Sequence, residues 1–214
     1  MKKVHSMKFV ILSFVVVFVT LTIVMVHRCG TKNGIPERCS VALQSEQAGE
    51  SREWLDACPA SDGFVFPVGP PDAHGYYNAQ GFGKNGHLGE DWNGTGGGNT
   101  DLGDPIHAIA NGIVFYVNNP GPGWGNVVRI YHKIGTKDNP RFVESLYAHL
   151  KTVQVLEGDV VTKGQRLGSM GNVGGKYFAH LHLEMRTKIG MPIGGGYSQN
   201  RDGFTDPTKF IRSH

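Results

Sequence analysis

The residues of this chain best suited to chemistry are histidines and acids at short, regular spacings. His180-Leu181-His182 lies in an apolar, strand-like run. Side chains alternate between the two faces of an extended strand, so both imidazoles point one way while Leu181 and Leu183 point the other. Two nitrogen ligands can converge there without special backbone geometry. In Gly86-His87-Leu88-Gly89-Glu90-Asp91-Trp92 three residues separate His87 from Asp91. On a helix these two would share a face, but the surrounding glycines argue for a loop or bent strand. In Ser145-Leu146-Tyr147-Ala148-His149-Leu150, alternation turns Tyr147 and His149 away from Leu146, Ala148 and Leu150, which aims His149 at a site rather than the core. With ten histidines in 214 residues, such spacings raise a metal hypothesis.

Each piece alone occurs often by chance. Together and in this order, His-x-x-x-Asp, Tyr-Ala-His-Leu and His-Leu-His-Leu-Glu resemble the pattern of lysostaphin-type zinc endopeptidases, the LytM domains. The resemblance covers roughly residues 61–211. It extends to Gly103-Asp-Pro-Ile-His-Ala-Ile-Ala-Asn-Gly-Ile-Val114, similar to the family's strand after its first ligand loop, and to Gly171-Asn-Val-Gly174, similar to the turn before its last strand. It implies that His87, Asp91 and His182 bind zinc, with His149 and His180 beside the metal as catalytic groups. A catalytic zinc takes three protein ligands and keeps a position for water, whose pKa it lowers toward neutrality. His149 and His180 would then move protons or stabilise the oxyanion, in an order the sequence leaves open.

Glu184 shares strand parity with His180 and His182 and is expected to orient a ligand imidazole as an acceptor. Glu90 is expected to point away from the site, Tyr147 to pack or line a groove, and His74, His107 and His132 to be structural or surface residues. Two stretches depart from the family pattern: Asn93–Leu102, which is longer than usual and is expected to form a mobile groove wall, and Tyr177-Phe178-Ala179 before His180. Both bear on substrate preference rather than on metal binding.

The elements needed to hold these residues are short strands between turns. Runs at Ile106–Val117, Asn126–His132, Phe142–Leu150, Thr152–Leu156, Arg166–Met170 and His180–Arg186 are punctuated by Gly and Pro. The stretch Val155–Leu167 reads as strand, tight turn, strand, with Gly158 and Gly164 at the special backbone positions. It resembles half of a biotinyl or lipoyl carrier domain but lacks a modifiable lysine at a hairpin tip, which leaves a β-hairpin and no swinging arm. The abundance of Gly (31 residues) and 10% aromatic content suit a loop-rich β protein. The expected fold is all-β, with mainly antiparallel sheets in a β-sandwich-like domain over residues 61–214, preceded by one N-terminal transmembrane helix.

That helix is read from Phe9–Val26, an apolar stretch of 18 residues relieved only by Ser13, Thr20 and Thr22. Its length just spans a bilayer. Lys2, Lys3 and Lys8 before it should stay cytoplasmic, sending the rest of the chain outside. Residues 1–26 are therefore an expected membrane anchor, favoured over a cleaved signal, and Arg28 before Cys29 fits a lipoprotein site poorly. Residues 27–60, with a short helical stretch near Leu43–Leu55, are a linker or pro-segment. In an oxidising compartment Cys39 and Cys58 can close one disulfide, the alternative being two unpaired thiols. The net charge of +3 is a property of the leader: removing the five basic residues of 1–32 from the 21 in the chain leaves 16 against 18 acids. Such a balance argues against nucleic acid as a partner.

The resulting expectation is a membrane-anchored, extracytoplasmic zinc endopeptidase that cuts peptide cross-links or stem peptides of bacterial peptidoglycan. The alternative is a non-catalytic LytM-like module that activates a cell-wall amidase, although such modules usually lack some ligands and none is missing here. A third possibility is that residues 27–60 silence the enzyme by supplying a further ligand.

Overall fold

The structure, a computed structural model, describes residues 28–32, 35–38 and 53–214. The expected anchor over Phe9–Val26 and Cys39 lie outside the described residues, among which no helix is long and apolar enough to cross a membrane.

Strands β1 (Arg28–Lys32) and β2 (Ile35–Arg38) form an antiparallel hairpin. The remaining strands are β3 (Tyr76–Gln80), β4 (Glu90–Gly94), β5 (Pro105–His107), β6 (Gly112–Asn118), β7 (Asn126–Thr136), β8 (Asn139–Val153), β9 (Val160–Val161), β10 (Arg166–Met170), β11 (Leu181–Arg186) and β12 (Phe204–Thr205). They form one antiparallel sheet of ten strands in the order β3-β4-β11-β8-β7-β6-β9, with β10 joining β5 to β8 and β12 beside β11. The mainly antiparallel β architecture is as expected. A C-terminal helix, α1 (Pro207–Ser213), closes the chain; the Asp206 side chain accepts from Lys209 N and Pro207 occupies its first turn.

Three of the expected strands are rearranged. Ile106–Val117 is divided between β5 and β6 because its halves have different neighbours, β10 for the first and β7 with β9 for the second. Conversely, the run at Phe142–Leu150 and the first two residues of Thr152–Leu156 belong to one strand, β8, while residues 154–156 are not strand. Strand β8 pairs with β7 over most of its length and with β11 and then β10 on its other side. Gly158 and Gly164 do adopt left-handed backbone (φ 84° and 77°), and the strand between them is the two-residue β9.

The register assigns every side chain on the central strands to a face. Leu183 pairs with Tyr147 and Met185 with Ser145, and Tyr147 in turn pairs with Val128. These residues, with Leu181, Ile130 and Val143, face the main apolar core. The intervening residues occupy the other face: His182, Glu184 and Arg186 on β11, Glu144, Leu146 and Ala148 on β8, and Arg129 on β7. Alternation therefore divides this sheet into an apolar side and a side rich in ionisable groups, both of them buried.

One polar island lies on the apolar side. The buried imidazole of His132 hydrogen-bonds Asn111 O through Nδ1 (2.9 Å) and lies 2.7 Å from Ser145 Oγ through Nε2, while Ser145 Oγ is 3.1 Å from the Tyr147 hydroxyl. The carbonyl requires the proton on Nδ1, so Nε2 is the acceptor. Burial pushes the His132 pKa down to about 4, whereas the unfolded chain titrates near 6.5. Between those values the unfolded state binds the extra proton, so His132's contribution is complete above about pH 6.5 and is lost as pH falls, by up to about 1.4 kcal/mol per pH unit. Urea unfolding at pH 7 and pH 5 should show a smaller loss of stability for His132→Gln than for the parent; equal losses would contradict this assignment.

Packing continues N-terminal of Ser61. Residues 53–57 form a helical turn, and Trp54 and Leu55 cover a small cluster of Cys58, Ile113 and Tyr131, with Phe115 stacked on Tyr131. Cys58 carries a free thiol rather than the half-cystine of the disulfide expectation. Its Sγ points into this cluster, 3.3 Å from Tyr131 O, and burial pushes the thiol pKa up.

Candidate metal centre and groove

His87 reaches the site from a tight loop, Asp91 from β4 and His182 from β11. Asp91 pairs directly with His182 in register, so both side chains emerge on the same face, while Glu90, paired with Leu183, turns to the apolar side. There Glu90 accepts from Trp92 Nε1 and from Thr208 on α1, away from the site as expected. The loop carrying His87 lies against β11 because position 89 is glycine: a Cβ there would stand 2.4 Å from Leu183 O and 2.9 Å from His182 Cε1.

The three expected ligand atoms form a nearly equilateral triangle. His87 Nε2 is 3.0 Å from His182 Nδ1 and 3.3 Å from Asp91 Oδ1, and His182 Nδ1 is 3.0 Å from Asp91 Oδ1. A tetrahedral ion bound at about 2.0–2.1 Å has ligand edges of about 3.3 Å, so the donor set matches zinc in type and spacing. Beneath the triangle, His182 Nε2 donates to the buried Glu184 Oε1 (3.1 Å), as strand parity anticipated, leaving Nδ1 as the lone-pair atom. His87 Nδ1 is buried without a partner, which leaves Nε2 as the atom holding that ring.

Electrostatics favours a cation at this point. Burial opposes a charge on His182, but hydrogen bonds with Asp91 and Glu184 outweigh it and lift its pKa to about 9. Burial likewise opposes ionisation of Asp91, yet hydrogen bonds from His182 and His87 hold its carboxyl well below the usual carboxylate range. The pocket is built to carry positive charge between its carboxylates.

His149 and His180 flank this triangle, their ring centroids 4.6 Å apart. His149 Nδ1 donates to Trp124 O (3.0 Å) and His180 Nδ1 to Phe178 O (2.8 Å), so Nε2 of each ring is the atom left for other work. His180 Nε2 lies 3.9 Å from Asp91 Oδ1. Burial, reinforced by His182 and His180, pushes His149 down to about 3, which keeps it an uncharged base.

His149 reaches the site by a route that simple alternation does not describe. Its parity partner Tyr147 is fully buried on the apolar side and accepts from Ile109 N. Parity would bury His149 there too. Instead the backbone turns left-handed at His149 (φ 62°), where β8 changes partner, and swings the ring to the opposite face. A non-glycine residue in this region is strained, and such strain is concentrated at functional positions. Gly171 makes the turn possible, since a Cβ there would stand 2.3 Å from His149 O.

A groove runs past these residues, lined on one side of the centre by Trp124, His149, Gly196 and Tyr197 and on the other by Asn93, Asn99 and Phe178. Gln80, Asp91, Lys176, Tyr177 and His180 belong to both halves. The two stretches that depart from the family pattern meet here: Asn99 Oδ1 accepts from Ala179 N (2.8 Å), and Asn93 Nδ2 donates to Ala179 O (3.0 Å). Phe178 stands 70% exposed above that junction. Trp124 and Tyr197, the latter 5.0 Å from His87 ring to ring, were not anticipated because each sits in a glycine-rich loop without periodicity. His74 and His107 line no part of the groove; His107 Nδ1 contacts Pro67 O at 3.2 Å.

Residues 86–194 match the sequence profile of peptidase family M23. The chain is 37% identical over 91 residues to the DD-carboxypeptidase/endopeptidase Mpg of Neisseria meningitidis serogroup B, a match covering 42% of this chain and 19% of that protein. It is 37% identical over 86 residues to the murein hydrolase activator NlpD of Salmonella typhimurium, covering 40% of this chain and 21% of that protein. These matches thus span about a fifth of each relative's length. Among solved structures, the catalytic domain of lysostaphin from Staphylococcus simulans is 22% identical, covering 75% of this chain and 96% of that one, with a TM-score of 0.45.

Proposed function

The chain belongs to peptidase family M23, and from that premise we propose that it is a zinc-dependent endopeptidase acting on the peptide part of bacterial peptidoglycan. The observation that carries the proposal is the convergence of His87 Nε2, Asp91 Oδ1 and His182 Nδ1 within hydrogen-bonding distance of one another, beside two imidazoles with uncommitted Nε2 atoms. Zinc held by these three residues would supply a Lewis acid and a water of lowered pKa. His149, neutral and oriented by Trp124 O, is placed to accept a proton at Nε2; His180, oriented by Phe178 O, is placed to return one or to donate to a developing oxyanion. The open groove on both sides suits an extended, flexible peptide. Peptidoglycan lies outside the cytoplasm, which agrees with an anchor at Phe9–Val26 behind Lys2, Lys3 and Lys8.

The second reading, an activator of a cell-wall amidase, has the NlpD relative in its favour. An activator needs the groove but has no use for three converging ligand atoms and two oriented imidazoles. The test is a digest of purified wall fragments by the zinc-loaded protein, alone and with an added amidase, resolved by liquid chromatography. The protein alone should generate new peptide amino and carboxyl ends while the sugar-to-peptide amide stays intact. Amide cleavage accelerated only when the amidase is present, without new peptide ends, would establish the activator instead. Assaying both the full chain and a form beginning at residue 53 tests whether the preceding residues inhibit.

A further inference from the structure

A buried chain of charge runs behind the metal ligands to the far wall of the groove. It begins at His182, whose Nε2 donates to Glu184 Oε1. The other carboxylate oxygen, Glu184 Oε2, accepts from Arg186 Nε at 2.8 Å and Nη2 at 2.6 Å. Arg186 is fully buried, and its remaining donor capacity goes to three successive carbonyls: Met191 (3.4 Å) and Pro192 (3.1 Å) from Nη1, and Ile193 (2.9 Å) from Nη2. A second guanidinium, Arg129, ties Met191 O (2.7 Å) to Glu144, whose Oε2 in turn accepts from Gly190 N (3.0 Å).

The segment held in this way has little stiffness of its own. Residues 190–196 form neither helix nor strand and include Gly190, Gly194, Gly195 and Gly196, with left-handed backbone at three of them. Yet this segment makes the groove wall beside the metal ligands: Gly194 O accepts from Trp124 Nε1 (3.1 Å), Gly196 O accepts from Leu88 N (2.9 Å), and Tyr197 packs on His87. Its shape therefore depends on donors supplied from the sheet, and the planar guanidinium is the side chain that can serve a carboxylate and several carbonyls at once.

We infer that Arg186 is a positioning residue that fixes the metal-ligand imidazole of His182, through Glu184, and the 190–196 groove wall with one guanidinium. The inference rests on the zinc assignment proposed above and assigns Arg186 a second task beyond neutralising a buried carboxylate. Glu184 touches the ligand but none of the wall carbonyls. Arg129 touches the wall but not Glu184, meeting the other guanidinium only through Glu144 Oε1, 3.5 Å from Arg186 Nη1. Arg186 alone of the three bonds both Glu184 and the wall directly, joining the path to the ligand with the path to the wall.

Three variants of the full chain separate these paths, with zinc affinity read by chelator competition and the wall by amide hydrogen exchange of segment 188–197, neither of which requires turnover. Glu184→Gln should weaken zinc binding by about 10–100-fold, the usual cost of losing a ligand's hydrogen-bond partner, and leave exchange in 188–197 unchanged. Arg129→Lys should speed exchange there without changing zinc affinity. Arg186→Lys keeps the charge but not the fork, and should do both. If Arg186→Lys changes only one readout, or if it matches Arg129→Lys in both, the guanidinium is an ordinary buried ion-pair partner and the inference fails. If Arg186→Lys does not fold, the outcome turns on the other two variants, and equal effects from them overturn the separation of paths. A wild-type protein that binds zinc and shows these differences, yet cuts no wall peptide, would remove the proposed activity and leave the role of Arg186 standing.

Discussion

Replacing His182 or Asp91 by alanine should leave a folded protein that no longer retains zinc. Each substitution takes one corner from the triangle of His87 Nε2, Asp91 Oδ1 and His182 Nδ1, whose edges measure 3.0–3.3 Å. Two remaining ligands do not hold a catalytic zinc tightly. The folds should survive, because Glu184 keeps Arg186 as its partner in the His182 variant, and the β4–β11 pairing that carries Asp91 is made by backbone. Metal analysis after dialysis should fall from about one zinc per chain to near zero in both variants, with hydrolysis lost alongside. His107→Ala, whose ring contacts Pro67 O and lines no part of the groove, should keep its metal. Stoichiometric zinc in purified His182→Ala and Asp91→Ala would show that the ion sits elsewhere or is absent.

The second large effect separates metal content from rate. His149→Ala removes an imidazole whose Nδ1 is committed to Trp124 O and whose Nε2 is not, without removing a corner of the triangle. Zinc should stay bound while turnover drops by roughly 10²–10⁴-fold, the range for losing a positioned proton-transfer group. Since the left-handed backbone at residue 149 already carries a Cβ, alanine introduces no new backbone demand there. A metal-replete variant that hydrolyses at near the parental rate would reduce His149 to a wall of the groove.

How far the sequence revealed this site depends on what each residue needs from the fold. His182, Glu184 and Arg186 are placed by strict two-residue alternation on a single strand, and the orientation of His182 and Glu184 was readable from spacing alone. Asp91 and Glu90 are adjacent, and which one enters the site is decided by the register of β4 on β11, a contact between positions some 90 residues apart that no local pattern contains. His149 does lie beside His180 and His182, but not by the geometry expected of it: alternation aligns it with Tyr147, which is buried in the core, and only the left-handed turn at 149 reverses its direction. The glycine-flanked strand β4 owes its extended form to neighbours on both sides rather than to its own composition. Helix α1 did leave a signal, Asp206-Pro207, of the kind that starts helices. The cluster under Trp54 and Leu55 left none, because its partners Ile113 and Tyr131 come from strands far along the chain.

The most direct test of the whole account joins metal and bond cleavage in one titration. Metal-free protein, confirmed as folded, is given increasing zinc in the presence of purified cross-linked wall peptides, and new peptide amino ends are counted by liquid chromatography with mass spectrometry. The account predicts that the rate rises with added zinc, levels off at about one zinc per chain, and falls to background with a chelator. Zinc-saturated, folded protein that releases no peptide ends, or release that continues undiminished in the chelator, would contradict it.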